Sequence, residues 1–208
     1  MSEVNSSVLP VAPSNCAASG RLPAQLSVAF SSWPDAISAS RSASVSPGAD
    51  LSAYKSVYIA PVETSLQSAD RSFPPYGTGE RPVSASDAAS KASDLQQKLA
   101  AAFGKSFAVA AAPGEGVLTV SATLTRLQSN RPTAEDLRAT PGLSLTSEYA
   151  GAAAVSIVLS VNGSPIAEVS DAYTGTLNDS RLRAGIWSTA DVAFSRWARD
   201  LVAFVQSH

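Results

Sequence analysis

Few residues in this chain have the types and spacing that chemistry requires, and each has a competing structural use. Ser52-Ala53-Tyr54-Lys55 matches the Ser-x-x-Lys string in which a lysine activates a serine nucleophile. That chemistry needs the string at the start of a buried helix, with partner strings such as Lys-Thr-Gly or Ser-Asp-Asn, and neither partner occurs. Lys55 opens a strand pattern, so it reads as a surface lysine beside a packed Tyr54. Asp70-Arg71, Glu80-Arg81 and Glu135-Asp136 place carboxylates on loop-like segments. Two such carboxylates are the minimum for hydrolysis by paired acid and base, and solvated loop charge is the simpler reading. Gly114-Glu115-Gly116 reads as a turn, because no helix pattern follows it to present an N-terminus to phosphate. Arg126, Arg131, Arg138, Arg181 and Arg183 would form an anion or carbohydrate pocket if their loops met at one end of a sheet.

The rest of catalytic chemistry is thinned by two residue counts. Cys16 is the only cysteine and His208, the last residue, the only histidine. An internal disulfide, a cysteine-cluster metal site, a Ser-His-Asp triad and an imidazole zinc site are all excluded within the chain. The expectation is a protein with no catalytic residues and no cofactor. Charged residues make up 15% of the 208, well under the roughly 25% usual for soluble domains. With a net charge of −2 there is no basic stripe for nucleic acid. The hydrophobic fraction of 45% suffices for a core, but much of it is alanine, so a few large side chains must carry the packing.

The elements that would position these residues follow from periodicity. The clearest is 152–174. Val155, Ile157, Leu159 and Val161 alternate with Ser156, Val158 and Ser160, which puts the first set on one buried face. Asn162-Gly163 is a strong hairpin signal, and Ala167, Val169 and Tyr173 on the return arm are also odd-numbered. Facing like with like then needs an odd loop, Asn162-Gly163-Ser164, since a strict two-residue turn would set Ile157 opposite Glu168. Strands are also predicted over 55–63, 107–112 and 117–127, with Leu118, Val120, Ala122, Leu124 and Arg126 on one face.

A helix is predicted from a Ser84/Asp87 capping box to Gly104, with Asp87/Lys91 and Asp94/Lys98 as i,i+4 ion pairs. A second runs from about 189 to 206 behind a Ser188/Asp191 box. Segments 64–83 and 128–149 read as long loops. Residues 1–45 form a flexible Ser/Ala/Pro-rich tail and arm, with Leu26, Val28, Phe30, Trp33 and Ile37 on the arm, and 46–208 a single domain. The expected fold is α+β: a mixed, mostly antiparallel sheet of four to five strands with two helices on one face.

Four stretches, 47–63, 95–127, 151–175 and 188–205, in this order resemble the uncharacterised proteobacterial envelope lipoproteins that carry a domain of unknown function. The resemblance implies a fold and a place on the periplasmic side of the envelope, with no activity attached. Cys16-Ala17-Ala18-Ser19-Gly20 looks like the start of a mature lipoprotein, which makes Cys16 the lipidation candidate. Residues 1–15 hold no apolar run of the length a secretory leader needs. The function expected is a non-enzymatic accessory or binding module. Its partner would be an envelope protein or a cell-wall component, and a lipid on Cys16 would hold it to the membrane. The alternatives are a carboxylate-dependent hydrolase of envelope glycans and a structural subunit of a larger envelope assembly.

Overall fold

Alternation of apolar and hydroxyl residues along its long strands builds one mixed sheet. The computed structural model describes residues 40–66, 81, 83–144, 146–177 and 185–208. Cys16 and the apolar arm residues Leu26 to Ile37 lie outside these, as do Asp70, Arg71, Glu80, Arg181 and Arg183. The elements in order are β1 (Ser40–Val45), β2 (Ser56–Ile59), β3 (Glu63–Thr64), α1 (Ala85–Phe103), β4 (Ala108–Val109), β5 (Val117–Gln128), α2 (Ala134–Ala139), β6 (Ala152–Val161), β7 (Ser164–Thr174) and α3 (Ser188–Ser207). The sheet order is β1-β7-β6-β5-β2-β4, with β3 beside β5.

The α+β class holds; the described residues form seven strands where four to five were expected and three helices where two were. The difference lies in short pieces. Of the strands beyond those expected, β1 has six residues and β3 two, and the extra helix α2 has six, too few to leave a clear period in sequence, whereas β4 is the strand expected over 107–112 cut to Ala108–Val109. The ladders β1–β7, β7–β6 and β6–β5 are antiparallel, while β2–β4, β2–β5 and β3–β5 are parallel. The sheet also takes in Ser40–Val45, the last residues of the stretch read as tail and arm.

The hairpin reaches the expected parity by a different route. Asn162 (φ 50°) and Gly163 (φ 79°) form a two-residue turn, and Val161 pairs with Ser164. The register then shifts between Ser160↔Pro165 and Leu159↔Ala167, so Ile166 is an extra residue. That bulge restores like to like, with Ile157 opposite Val169 and Ala153 opposite Tyr173. Val155, Ile157 and Leu159 are buried beneath the helices, and Ser156 and Ser160 lie on the opposite face.

A second bulge corrects the reading of β5. Leu124 pairs with Val155 but Arg126 with Ala154, so Thr125 and Arg126 share one place in the ladder. One extra residue exchanges the faces. Arg126 therefore leaves the row of Leu118, Val120, Ala122 and Leu124 and joins the open face, while Leu127 takes the buried position.

Helices α1 and α3 lie side by side on one sheet face. Lys91 Nζ donates to Asp191 Oδ1 (3.0 Å) and Lys98 Nζ to Ser195 Oγ (2.9 Å), which also shows that the helices run parallel. Leu95, Leu99 and Phe103 from α1 and Phe194, Trp197, Leu201 and Val205 from α3 close over the strands. The expected ion pairs along α1 are replaced. Asp87 accepts from Ser84 Oγ, Lys91 pairs with Asp94 and with Asp191, and Lys98 turns to Ser195. Burial works against the Lys91 charge, but its bonds to Asp94 and Asp191 outweigh that and raise its pKa above the ordinary lysine value. Ser84 caps α1 as expected, its Oγ accepting from Asp87 N–H.

The start of α3 differs from expectation. Its N-cap is Trp187, which makes no side-chain cap bond, and Ser188 Oγ donates instead to Gly185 O (3.0 Å).

Candidate functional site

Parallel helices on a mixed sheet bring their N-termini to one end of it. Strands β3, β5 and β7 run in the same direction, so the segments that follow each of them leave from that end. These segments lead to α1, through α2 to β6, and to α3, and they meet around Asn130. Asn130 N–H donates to Ile186 O (2.6 Å), its carbonyl accepts from Tyr149 N–H (2.8 Å), and its Oδ1 accepts from Thr189 N–H (2.8 Å). Asn130 Nδ2 donates to Thr189 Oγ1 (2.7 Å) and toward Tyr149 O (3.4 Å). A residue 59 positions away in sequence thus supplies the N-terminal cap that α3 lacks locally. Gly151 passes so close that a Cβ there would stand 2.6 Å from Asn130 Oδ1 and 2.8 Å from Thr189 Cβ.

Arg81 approaches from the segment before α1. Its guanidinium carbon lies 3.6 Å from the centroid of the Tyr149 ring, a stacking distance for cation and π face. Its Nη2 donates to Ser129 O (2.6 Å) and its backbone N–H to Gln128 Oε1 (3.3 Å), while its Nε is buried with no hydrogen-bond partner. Among the described residues no carboxylate forms an ion pair with it. Burial lowers the pKa of Arg81 below its usual value, with Asp136 and Tyr149 pulling the other way. Burial first, with Asp136 adding to it, raises the Tyr149 phenol above its usual pKa, against the opposing pull of Arg81. Asp136 itself is buried in a capping box, accepting from Thr133 N–H (2.8 Å) and Thr133 Oγ1 (2.9 Å) at the start of α2. The end of the sheet therefore presents a desolvated cation on an aromatic face, an arrangement suited to hydrogen-bonding an oxyanion.

The predicted arginines divide. Arg126 and Arg131 are half-buried at this same end, on β5 and just beyond it. Arg138 is exposed on α2 and spent on Glu135 (2.6 Å). The Ser-x-x-Lys string has no nucleophile geometry. Lys55 Nζ donates to the carbonyl of Ser52 (3.2 Å) while Ser52 Oγ donates to Asp50 Oδ1 (2.7 Å), which holds the Asp50 carboxyl below its ordinary pKa. Among the described residues no group of three or more His, Cys, Asp or Glu is placed to hold a metal ion, and no helix is long and apolar enough to cross a membrane. Sequence reasoning missed Arg81 as a cation site, and with it Asn130, Tyr149 and Gly151. The one signal for the first was its place three residues before the Ser84 cap.

Residues 37–201 match the family model described as a protein of unknown function, DUF3313. No curated protein matches the chain. Among solved structures, a PelC dodecamer from Paraburkholderia phytofirmans is 11% identical with a TM-score of 0.42, over 80% of this chain and 96% of that one. A DUF330 protein from Xanthomonas campestris is 15% identical at 0.44, covering 78% and 89%. A DUF4136 family protein from Bacteroides thetaiotaomicron is 10% identical at 0.40, covering 80% and 96%.

Proposed function

The chain belongs to the DUF3313 family, whose function is unknown, and from that premise we propose that it is a non-enzymatic binding or accessory module on the periplasmic side of the cell envelope. The binding end is the one at which the segments following β3, β5 and β7 converge. The observation that carries this is Arg81: a half-buried guanidinium stacked on Tyr149, its Nε unpartnered and, among the described residues, no carboxylate paired with it. Arg126, Arg131 and the N-termini of α1 and α3 add positive potential at the same end. The ligand chemistry that fits is a phosphate or carboxylate group, on a lipid head or an acidic glycan.

Support for a non-catalytic role comes from how the buried carboxylates are spent. Asp136 caps α2, and Asp171 is bonded to Arg41. Asp200, the carboxylate nearest Asp171, is likewise tied to arginines, Arg41, Arg196 and Arg199, so neither member of that pair is left to act as acid or base. The envelope location is supported by the four-block resemblance and by Cys16 with its lipoprotein-like flank. Acylation there would supply the chains that stable anchoring takes.

Two measurements test the two halves. Expressed from its native locus, the protein should sediment with membranes and lose that anchoring with Cys16→Ser; a soluble protein with an unmodified thiol would end the envelope reading. Titrated with trigalacturonate or with phosphatidylglycerol vesicles, the folded domain should bind saturably to one of them. Arg81→Ala should weaken that binding about tenfold or more, the share of a charge-assisted hydrogen bond. An unchanged affinity would remove Arg81 from the site.

A further inference from the structure

We propose that β1 is a separately releasable strand, latched to the sheet by the ion-pair cluster that Arg41 makes with Asp171 and Asp200. Among the described residues β1 is an edge strand with one ladder, to β7. Its helix-side residues are Arg41, Ala43 and Val45, and none is fully buried. By contrast β5 and β6 each place several apolar side chains wholly inside. Apolar packing therefore holds β1 weakly, and Arg41 makes the difference.

Arg41 Nε donates to Asp171 Oδ2 (2.8 Å), and its Nη2 bonds the same carboxylate and also Asp200 Oδ2 (3.2 Å). Asp171 stands on the helix face of β7 with its side chain 3% exposed, opposite Val155 and Arg41. Asp200, on α3, also takes Arg196 (3.6 Å) and Arg199 (3.0 Å). One guanidinium thus joins three elements. A buried carboxylate in an apolar row is costly unless its partner is in place. A two-residue slip of β1 would set Ala43 opposite Asp171, so the pair also fixes the strand's register. With Arg41 withdrawn, Asp200 keeps Arg196 and Arg199 while Asp171 loses the two bonds Arg41 gives it, which sets the cost of opening the strand.

The C-terminal boundary of the releasable unit is visible, and along the described strand Arg41 stands ahead of Ala43 and Val45. Beyond Val45 a turn follows, with Ser46 N–H bonded to Ile166 O (2.8 Å) and Gly48 at φ 79°. Leu51, fully buried, returns the chain to the core. A load transmitted through Ser40 would reach the latch before Ala43 and Val45. This holds whether or not Cys16 carries a lipid.

Hydrogen exchange on the full chain tests the latch. Arg41→Gln should speed exchange of the β1 amides by roughly a hundredfold, the fold-change expected for breaking a buried pair, and leave β5 and β6 at their original rates. Arg41→Lys, which keeps the charge but loses the fork, should show a smaller selective increase; it carries the same comparison if the glutamine variant does not fold. Unchanged β1 rates would overturn the proposal. So would equal acceleration of β1, β5 and β6, which would make the cluster part of the global core.

Discussion

Trp197→Ala should lower the unfolding free energy by about 3–5 kcal/mol, the range for large aromatic truncations in a core, whereas Trp197→Phe should cost much less. The indole lies 3% exposed on the sheet side of α3, 5.7 Å from the Phe194 ring between centroids. Much of the core it belongs to is alanine, including Ala153, Ala167, Ala190, Ala193 and Ala198. Side chains of one carbon cannot reach into a void, so the cavity left by truncation stays open. The phenylalanine variant differs because Trp197 Nε1 is buried without a hydrogen-bond partner. Replacing the indole removes an unsatisfied donor together with volume, and the two effects oppose each other. Urea denaturation read at constant m-value gives both numbers. An alanine variant within error of wild type would show that Trp197 is not a core anchor.

Asn130→Ala should cost about 2–4 kcal/mol, combining a lost helix cap with a buried donor left unpaired. Thr189 is fully buried, and its N–H and Oγ1 both look to the Asn130 amide. With α3 uncapped by its own residues, no local group takes over. Gly151→Ala attacks the same junction from the other side, since its Cβ would overlap Asn130 Oδ1. Combining the two substitutions should cost less than the sum of the single effects, because truncating Asn130 relieves part of the overlap. Full additivity in the double-mutant cycle would contradict this packing.

The parts of this fold legible in sequence are those where one residue type repeats. Alternation along 155–161 set the buried face of β6, and matching parity on 167–173 demanded an odd offset in the hairpin. What could not be seen was that a bulge at Ile166 provides the offset and leaves the turn at two residues, since a bulge and a longer loop have the same parity. The same limit misplaced Arg126: strict alternation carries it into the core row, and one extra residue in β5 returns it to the open face. Asn130 was invisible for a different reason. Its partners, Tyr149, Ile186 and Thr189, are distant in sequence, and long-range capping has no local spacing. The convergence of the segments after β5 and β7 was legible as a possibility from strand order. The residue that defines the site, Arg81, was read only as the neighbour of an acidic loop residue.

The most direct measurement of the central claim is where a ligand perturbs the domain. Backbone and arginine side-chain NMR shifts, followed through titration with trigalacturonate and with phosphatidylglycerol vesicles, report every region at once. The account predicts that the changes centre on the Arg81 Nε–H, with Gln128 to Arg131, Tyr149 and Thr189 following, and that in Arg81→Ala the remaining shifts need about tenfold or more ligand while the rest of the spectrum stays folded. Shifts centred instead on the open sheet face of Ser156 and Thr123, or on the groove between β3 and α1 lined by Val62, Thr64 and Ala92, would contradict it.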